Sequence, residues 1–212
     1  MGGKATLDTL TIFIQYLTSG KPSYEGIVDV TASSLIIAPI VREHVEAAAF
    51  QWAQRDTLSR GDPIDEEALA WVDAQLEANL DAIRIAGAAA WSFIIDAFET
   101  YPEKGELFVT AFLALETGDE KRLEQAAAFA RVADGGARGL CGAFEWLPPS
   151  VTAPVVREWI EAADPVKIEA SLSALTAHAG HPGEELERLV SHESENVRKA
   201  AKKLANGLRQ RG

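Results

Sequence analysis

"DPVKIEASLSALTAHAG" (residues 164–180) and "SENVRKAAKKLANGL" (residues 194–208) are the stretches whose reading decides the fold. In the first, Ile168, Leu172, Leu175 and Ala179 recur at helical spacing. In the second, Val197, Ala201, Leu204 and Leu208 do the same, each 29 residues further on. A helical unit repeated near this period signals an α-solenoid, in which each hairpin hides its apolar face against the next.

The helical pattern extends upstream to Pro39. Ile37, Val41, Val45, Ala48 and Trp52 form one stripe, with Pro39 in the first turn, and "RGDP" (60–63) breaks it. Leu69, Val72, Leu76, Leu80 and Ile83 form the next, capped by Gly87. Shorter stripes follow and stop at "YP" (101–102), Gly118, "DGG" (134–136), "PP" (148–149) and "DP" (164–165). No comparable strand pattern interrupts the series. Connections this short predict antiparallel neighbours. The fold class is all-α, antiparallel helical hairpins stacked as a short solenoid over residues 37–212. Residues 1–36 read differently: a helix over 6–18, then an extended arm containing "IVDVTASS".

The composition suits a single soluble domain. The chain has 212 residues, 47% of them hydrophobic, and is long enough to bury a core without metal or disulfide. One cysteine, Cys141, points to a reducing compartment. Apolar runs such as "TIFIQYL" and "SLIIAPIV" fall short of a membrane span, and "MGGKATLDTL" lacks a signal-peptide pattern. A cytoplasmic protein is expected.

Net charge is −12, which repels phosphate backbones and favours basic partners. The C-terminal stretch 194–212 is the exception, with six Lys or Arg against one Glu, so the remainder carries −17. With Val197, Ala201, Leu204 and Leu208 facing inward, those cations cover the outer side of the last helix. That is how a solenoid's terminal helix keeps a polar face, and it reads as a cap, not a nucleic-acid hook.

"SENVRKAAKKLANGL" resembles the second helix of a HEAT-type repeat, through Val197, Arg198, Ala201, Leu204 and Gly207. "HVEAAAFQWAQRD" (44–56), "LEANLDAIRIAG" (76–87), "ARGLCGAFEWLPP" (137–149) and the Asp164–Pro165 unit occur in that order. Together they are similar to a family of bacterial HEAT-like proteins of unassigned function, often associated with type VI secretion gene clusters. The resemblance runs from about residue 39 to the end and implies a HEAT-like fold and that context. The family carries no catalytic residues to transfer.

The residues themselves point away from chemistry. His178 and His181 straddle a Gly-Pro turn, which does not place ligands on one helix face, and His192–Glu193 is a single His-Glu pair. Cys141 lies in an apolar stripe, and there is no GxSxG, phosphate loop or HExxH. No catalytic, cofactor or metal site is assigned. The five tryptophans fall on or beside apolar stripes, where packing between helices is the default. Trp146, beside the rigid "LPP", is the candidate for an exposed interface anchor. If the hairpin turns near residue 62, Arg42 and Glu43 lie opposite Asp81 and Arg84, and crossed pairs Arg42–Asp81 and Glu43–Arg84 are expected to fix its register.

The expected function is a non-enzymatic protein-binding scaffold, an adaptor or immunity protein for a basic secreted effector or toxin, with no nucleic-acid or membrane partner. The alternatives are an enzyme with a dispersed site, or an acidic mimic of nucleic acid that inhibits a basic protein.

Overall fold

Aspartate or proline sets the start of five of the helices. In the computed structural model, which describes residues 37–211, Asp65, Asp119 and Asp164 each accept a hydrogen bond from a first-turn backbone N–H. A carboxylate there satisfies an otherwise orphaned donor and opposes the helix dipole. Pro39, Pro149 and Pro165 occupy first-turn positions, where the missing N–H costs nothing.

The elements are α1 (Ala38–Leu58), α2 (Glu66–Ala86), a 3-10 turn (Gly87–Ala89), α3 (Ala90–Thr100), α4 (Lys104–Thr117), α5 (Glu120–Phe129), α6 (Arg138–Trp146), α7 (Pro149–Trp159), α8 (Pro165–Ala177), α9 (Glu185–Leu189) and α10 (Glu195–Arg211). The all-α class is therefore as expected. Among the described residues the β-type pairing is an isolated bridge, Glu103 with Asp134. The helix and arm expected within residues 1–36 lie outside the described residues.

α1, α4, α6, α8 and α10 touch in succession, each on the next, while α2 lies on α1, α5 on α4, α7 on α8 and α9 on α10. α4 is buried nearly all round, from Leu107 to Leu115, because it is covered by α1, α3, α5 and α6. Glycines make the crossings close. A Cβ on Gly142 would stand 2.1 Å from Trp52 Cζ2, and one on Gly139 would stand 2.1 Å from the Lys104 carbonyl oxygen. Gly139 thus lets α6 lie close on α4, and Gly142 leaves room for the Trp52 ring that reaches α6 from α1. The Trp52 ring fills the junction, stacked on Phe108 with centroids 4.8 Å apart.

A second, smaller cluster closes the C-terminal end, with Ile168 and Leu172 of α8 against Val197, Ala201 and Leu204 of α10. The two stripes read from the sequence face each other there. Ala179 departs from that expectation: α8 ends at Ala177, and Ala179 is exposed with φ 56°. The Gly180 N–H donates back to the Leu175 carbonyl at 2.8 Å, the reversal that closes many helices. On α10, Lys199, Lys202, Lys203, Arg209 and Arg211 are exposed and Leu204 is only 2% exposed, so the cations cover the outer side of the helix.

Candidate interaction site

Five polar side chains, Asp56, Lys104, Arg138, Glu145 and Ser173, form a relay across four helices. Asp56, at the end of α1, has a fully buried carboxylate. It accepts hydrogen bonds from Arg138 Nε at 2.8 Å and Lys104 Nζ at 2.7 Å, and it also pairs with Arg60. Burial alone would raise this carboxyl, but the donors on Lys104 and Arg138 outweigh it and hold it below the ordinary aspartate range. Arg138 reaches on to Glu145 at 2.9 Å, and the Ser173 hydroxyl donates to the same Glu145 oxygen at 2.7 Å. Every member is partnered, so the relay fixes α1, α4, α6 and α8 against one another.

A second network surrounds Trp146. The ring is half-buried, set edge-on to Phe108 and covered on a face by the Arg55 guanidinium 5.1 Å from its centroid. Its indole N–H donates to Glu77 at 3.0 Å. Glu77 in turn accepts from Arg84 at 2.6 Å, and Arg84 also pairs with Asp81 and Glu116. Trp146, read from the sequence as a partner's anchor, is thus engaged within its own chain on its nitrogen, an edge and a face.

The crossed pairs expected around the first hairpin are replaced by others. Arg84 takes Asp81 one turn away on its own helix, while Arg42 meets Asp96 of α3 at 3.9 Å. Glu43 is exposed and enters no ion pair among the described residues. The register of α1 on α2 is held instead by His44 to Asn79 at 2.7 Å, Asn79 to Gln51 at 2.9 Å and Arg55 to Asp73 at 2.7 Å. α3 also packs on α1 and brings to Arg42 a carboxylate that no two-helix picture contains.

Reactive groups are sequestered. Cys141 is buried, and burial with help from Glu169 and Glu145 pushes its thiol up to about 12, which keeps it protonated and unreactive at neutral pH. Glu169, raised by burial against the opposing Asn196 hydrogen bond, lines a groove between α6, α8 and α10 with Arg138, Glu145, Asn196 and Lys203. Among the described residues no group of three or more His, Cys, Asp or Glu side chains is placed to hold a metal ion.

What the surface offers is apolar area. Phe50 is 69% exposed, Trp71 61% and Ile85 88%. Trp71 was not singled out by the sequence reading, yet the signal was there. Val72, Leu76, Leu80 and Ile83 fix the buried side of α2, and Trp71 and Ile85 project from the opposite side at helical spacing. The helical stretch Glu66–Thr100 is also long and apolar enough, by length and composition, to cross a membrane, with 22% of its most apolar window buried. No protein family, curated protein or solved structure matches the chain.

Proposed function

We propose that this chain is a non-enzymatic protein-binding scaffold, a short HEAT-like α-solenoid that holds another protein. The observation that carries the reading is the pair of large apolar side chains, Trp71 and Ile85, left outside on a helix whose opposite side already serves the core. With the exposed Ala74 and Ala78 between them they make a continuous apolar stripe, the kind of surface that another molecule covers. Two further observations support it. Asp56, Arg138 and Glu145 of the interior are committed to joining helices. The succession α1, α4, α6, α8, α10, each touching the next, supports the solenoid reading. Trp71 is the principal ring offered and Trp146 a secondary one.

The resemblance to HEAT-like proteins of type VI secretion clusters favours an adaptor or an immunity protein within that reading. The charge of −12 favours a basic partner, a secreted effector or toxin. The test is to recover the tagged chain from its native host and weigh it by light scattering. The expected result is a complex heavier than 22.8 kDa containing one other polypeptide in fixed ratio. Its association rate should fall steeply with salt while dissociation changes much less. Recovery of the chain alone, at its own mass, would overturn the reading.

A further inference from the structure

We propose that the outward side of α2 is the seat of the partner, and that it takes an amphipathic helix with basic flanks. This inference rests on the scaffold reading above and assigns that scaffold's contact surface. Along α2, Trp71, Ala74, Ala78, Ala82 and Ile85 fall within one outward stripe, directly opposite Leu76, Leu80 and Ile83. Trp71, Ala74, Ala78 and Ile85 are exposed and Ala82 is half-buried. The stripe is about 21 Å long from Trp71 to Ile85, at 1.5 Å per residue.

Its shape suits a helix. Three alanines between two bulky ends form a shallow bed in which a second helix approaches to about 8 Å between axes. Trp71 and Ile85 then close around its two ends, and tryptophan is the residue most often found dominating such contacts.

Its charge selects the occupant. α2 carries five carboxylates, Glu66, Glu67, Asp73, Glu77 and Asp81, against one cation, Arg84. Asp73 is taken up by Arg55, and Glu77 and Asp81 share Arg84. Glu66 and Glu67, at the Trp71 end, enter no ion pair among the described residues. A second copy would bring the same acidic helix against itself, and an anionic bilayer would be repelled in the same way. Lysine or arginine flanks on an apolar seam satisfy both the stripe and its carboxylates.

The probe is a synthetic amphipathic peptide with a leucine seam and lysine flanks, beside one with the same seam and glutamate flanks, each titrated against the full chain by fluorescence anisotropy. The lysine-flanked peptide is expected to bind and the glutamate-flanked one not to. Ala78→Glu places a bulky side chain in the alanine bed while adding negative charge, so it separates packing from simple attraction. Binding should weaken about tenfold or more in Ala78→Glu, and in Trp71→Ala and Ile85→Ala as well, a change of 1.4 kcal/mol per tenfold. Circular dichroism and thermal melting confirm that each variant folds, and all three positions are exposed or outward-facing. Unchanged or tighter binding to Ala78→Glu would reduce the contact to bulk charge and overturn the proposal. So would equal binding of both peptides, a dimer in sedimentation that Ala78→Glu dissolves, or co-sedimentation with phosphatidylserine vesicles that it abolishes. If a partner recovered from the native host is still held by Ala78→Glu, the scaffold reading stands and the seat on α2 does not.

Discussion

Asp56 of α1 and Arg138 of α6 are 82 residues apart in the chain and bonded at 2.8 Å. Arg138 continues to Glu145, and Glu145 to Ser173, so one buried carboxylate organises the contact of α1 with α6 and, through it, α8. Removing one partner from such a set leaves the others uncompensated. Asp56→Asn should cost about 3 kcal/mol in urea unfolding, in the range for a broken buried pair. Arg42→Ala should cost about 0–0.5 kcal/mol, because the Arg42–Asp96 pair is exposed on both sides and 3.9 Å long. Similar losses from the two would mean that Asp56 is not a keystone.

The same carboxylate shapes the response to acid. Its folded value lies below the ordinary one, so the stability it supplies is present above about pH 4 and is lost as pH falls through the folded value. Glu169 has the opposite sign. Burial raises its carboxyl, so the ionised form at neutral pH subtracts stability, and that deficit disappears on acidification. Glu169→Gln should therefore raise the melting temperature at pH 7 and leave it unchanged at a pH where the parent carboxyl is protonated. Asp56→Asn should flatten the acid limb of the parent's stability curve. Melting curves between pH 3 and pH 8 read both effects, and parallel profiles for the two variants and the parent would contradict these assignments.

Two glycines should answer alanine in opposite directions. Gly142→Ala drives a Cβ to 2.1 Å from the Trp52 ring, which is itself enclosed, so α6 must lift from α1. A loss of about 1–3 kcal/mol is expected, as for overpacked cores. Gly207 lies inside α10 with nothing within 4 Å of an added Cβ, so Gly207→Ala should stabilise by about 0.5–1 kcal/mol through helix propensity. A neutral or stabilising Gly142→Ala in a thermal-shift assay would mean that glycine at 142 is incidental, and a destabilising Gly207→Ala would contradict the open space around it.

The ends of α8 and α10 offer a further pair. Leu204→Ala should cost about 2–5 kcal/mol, since Leu204 is 2% exposed, and Lys203→Ala close to nothing. Ala179→Gly should stabilise by about 1 kcal/mol, because a left-handed backbone strains any residue with a Cβ and Ala179 has φ 56°. A destabilised Ala179→Gly would show that the turn after α8 is closed differently.

Many helix ends were legible because they are written in local chemistry, while α9 carries no such signal. Asp65 and Asp164 cap, Pro39 and Pro165 start, and Gly87 and Gly118 stop. The stripe Val197, Ala201, Leu204 showed which side of α10 is inside, for the same reason. Contacts that need three helices at once were not legible. Arg42 found Asp96 instead of Asp81 because α3 returns over α1, and Asp56 looks in the sequence like one more surface carboxylate until α4 and α6 enclose it. Trp146 was picked out for its place beside "LPP", which does put it at a helix end, but Glu77 and Arg55 come from helices that no local reading brings there. Ala179 lies two residues beyond the end of α8, because periodicity alone does not register a helix that stops at Ala177.

The central claim is that a partner helix covers the outward side of α2, and one thiol reports on it directly. Cys141 is buried and held as a thiol, so a cysteine introduced by Ala78→Cys is the accessible one for maleimide labelling. The measurement is the labelling rate of Ala78→Cys in the free chain and in the complex recovered from the native host, with Lys203→Cys on the α10 side as control. Rapid labelling of the free chain is expected, with a rate about tenfold slower or more for Ala78→Cys in the complex and Lys203→Cys unaffected. An unchanged rate at position 78, with position 203 protected instead, would contradict it.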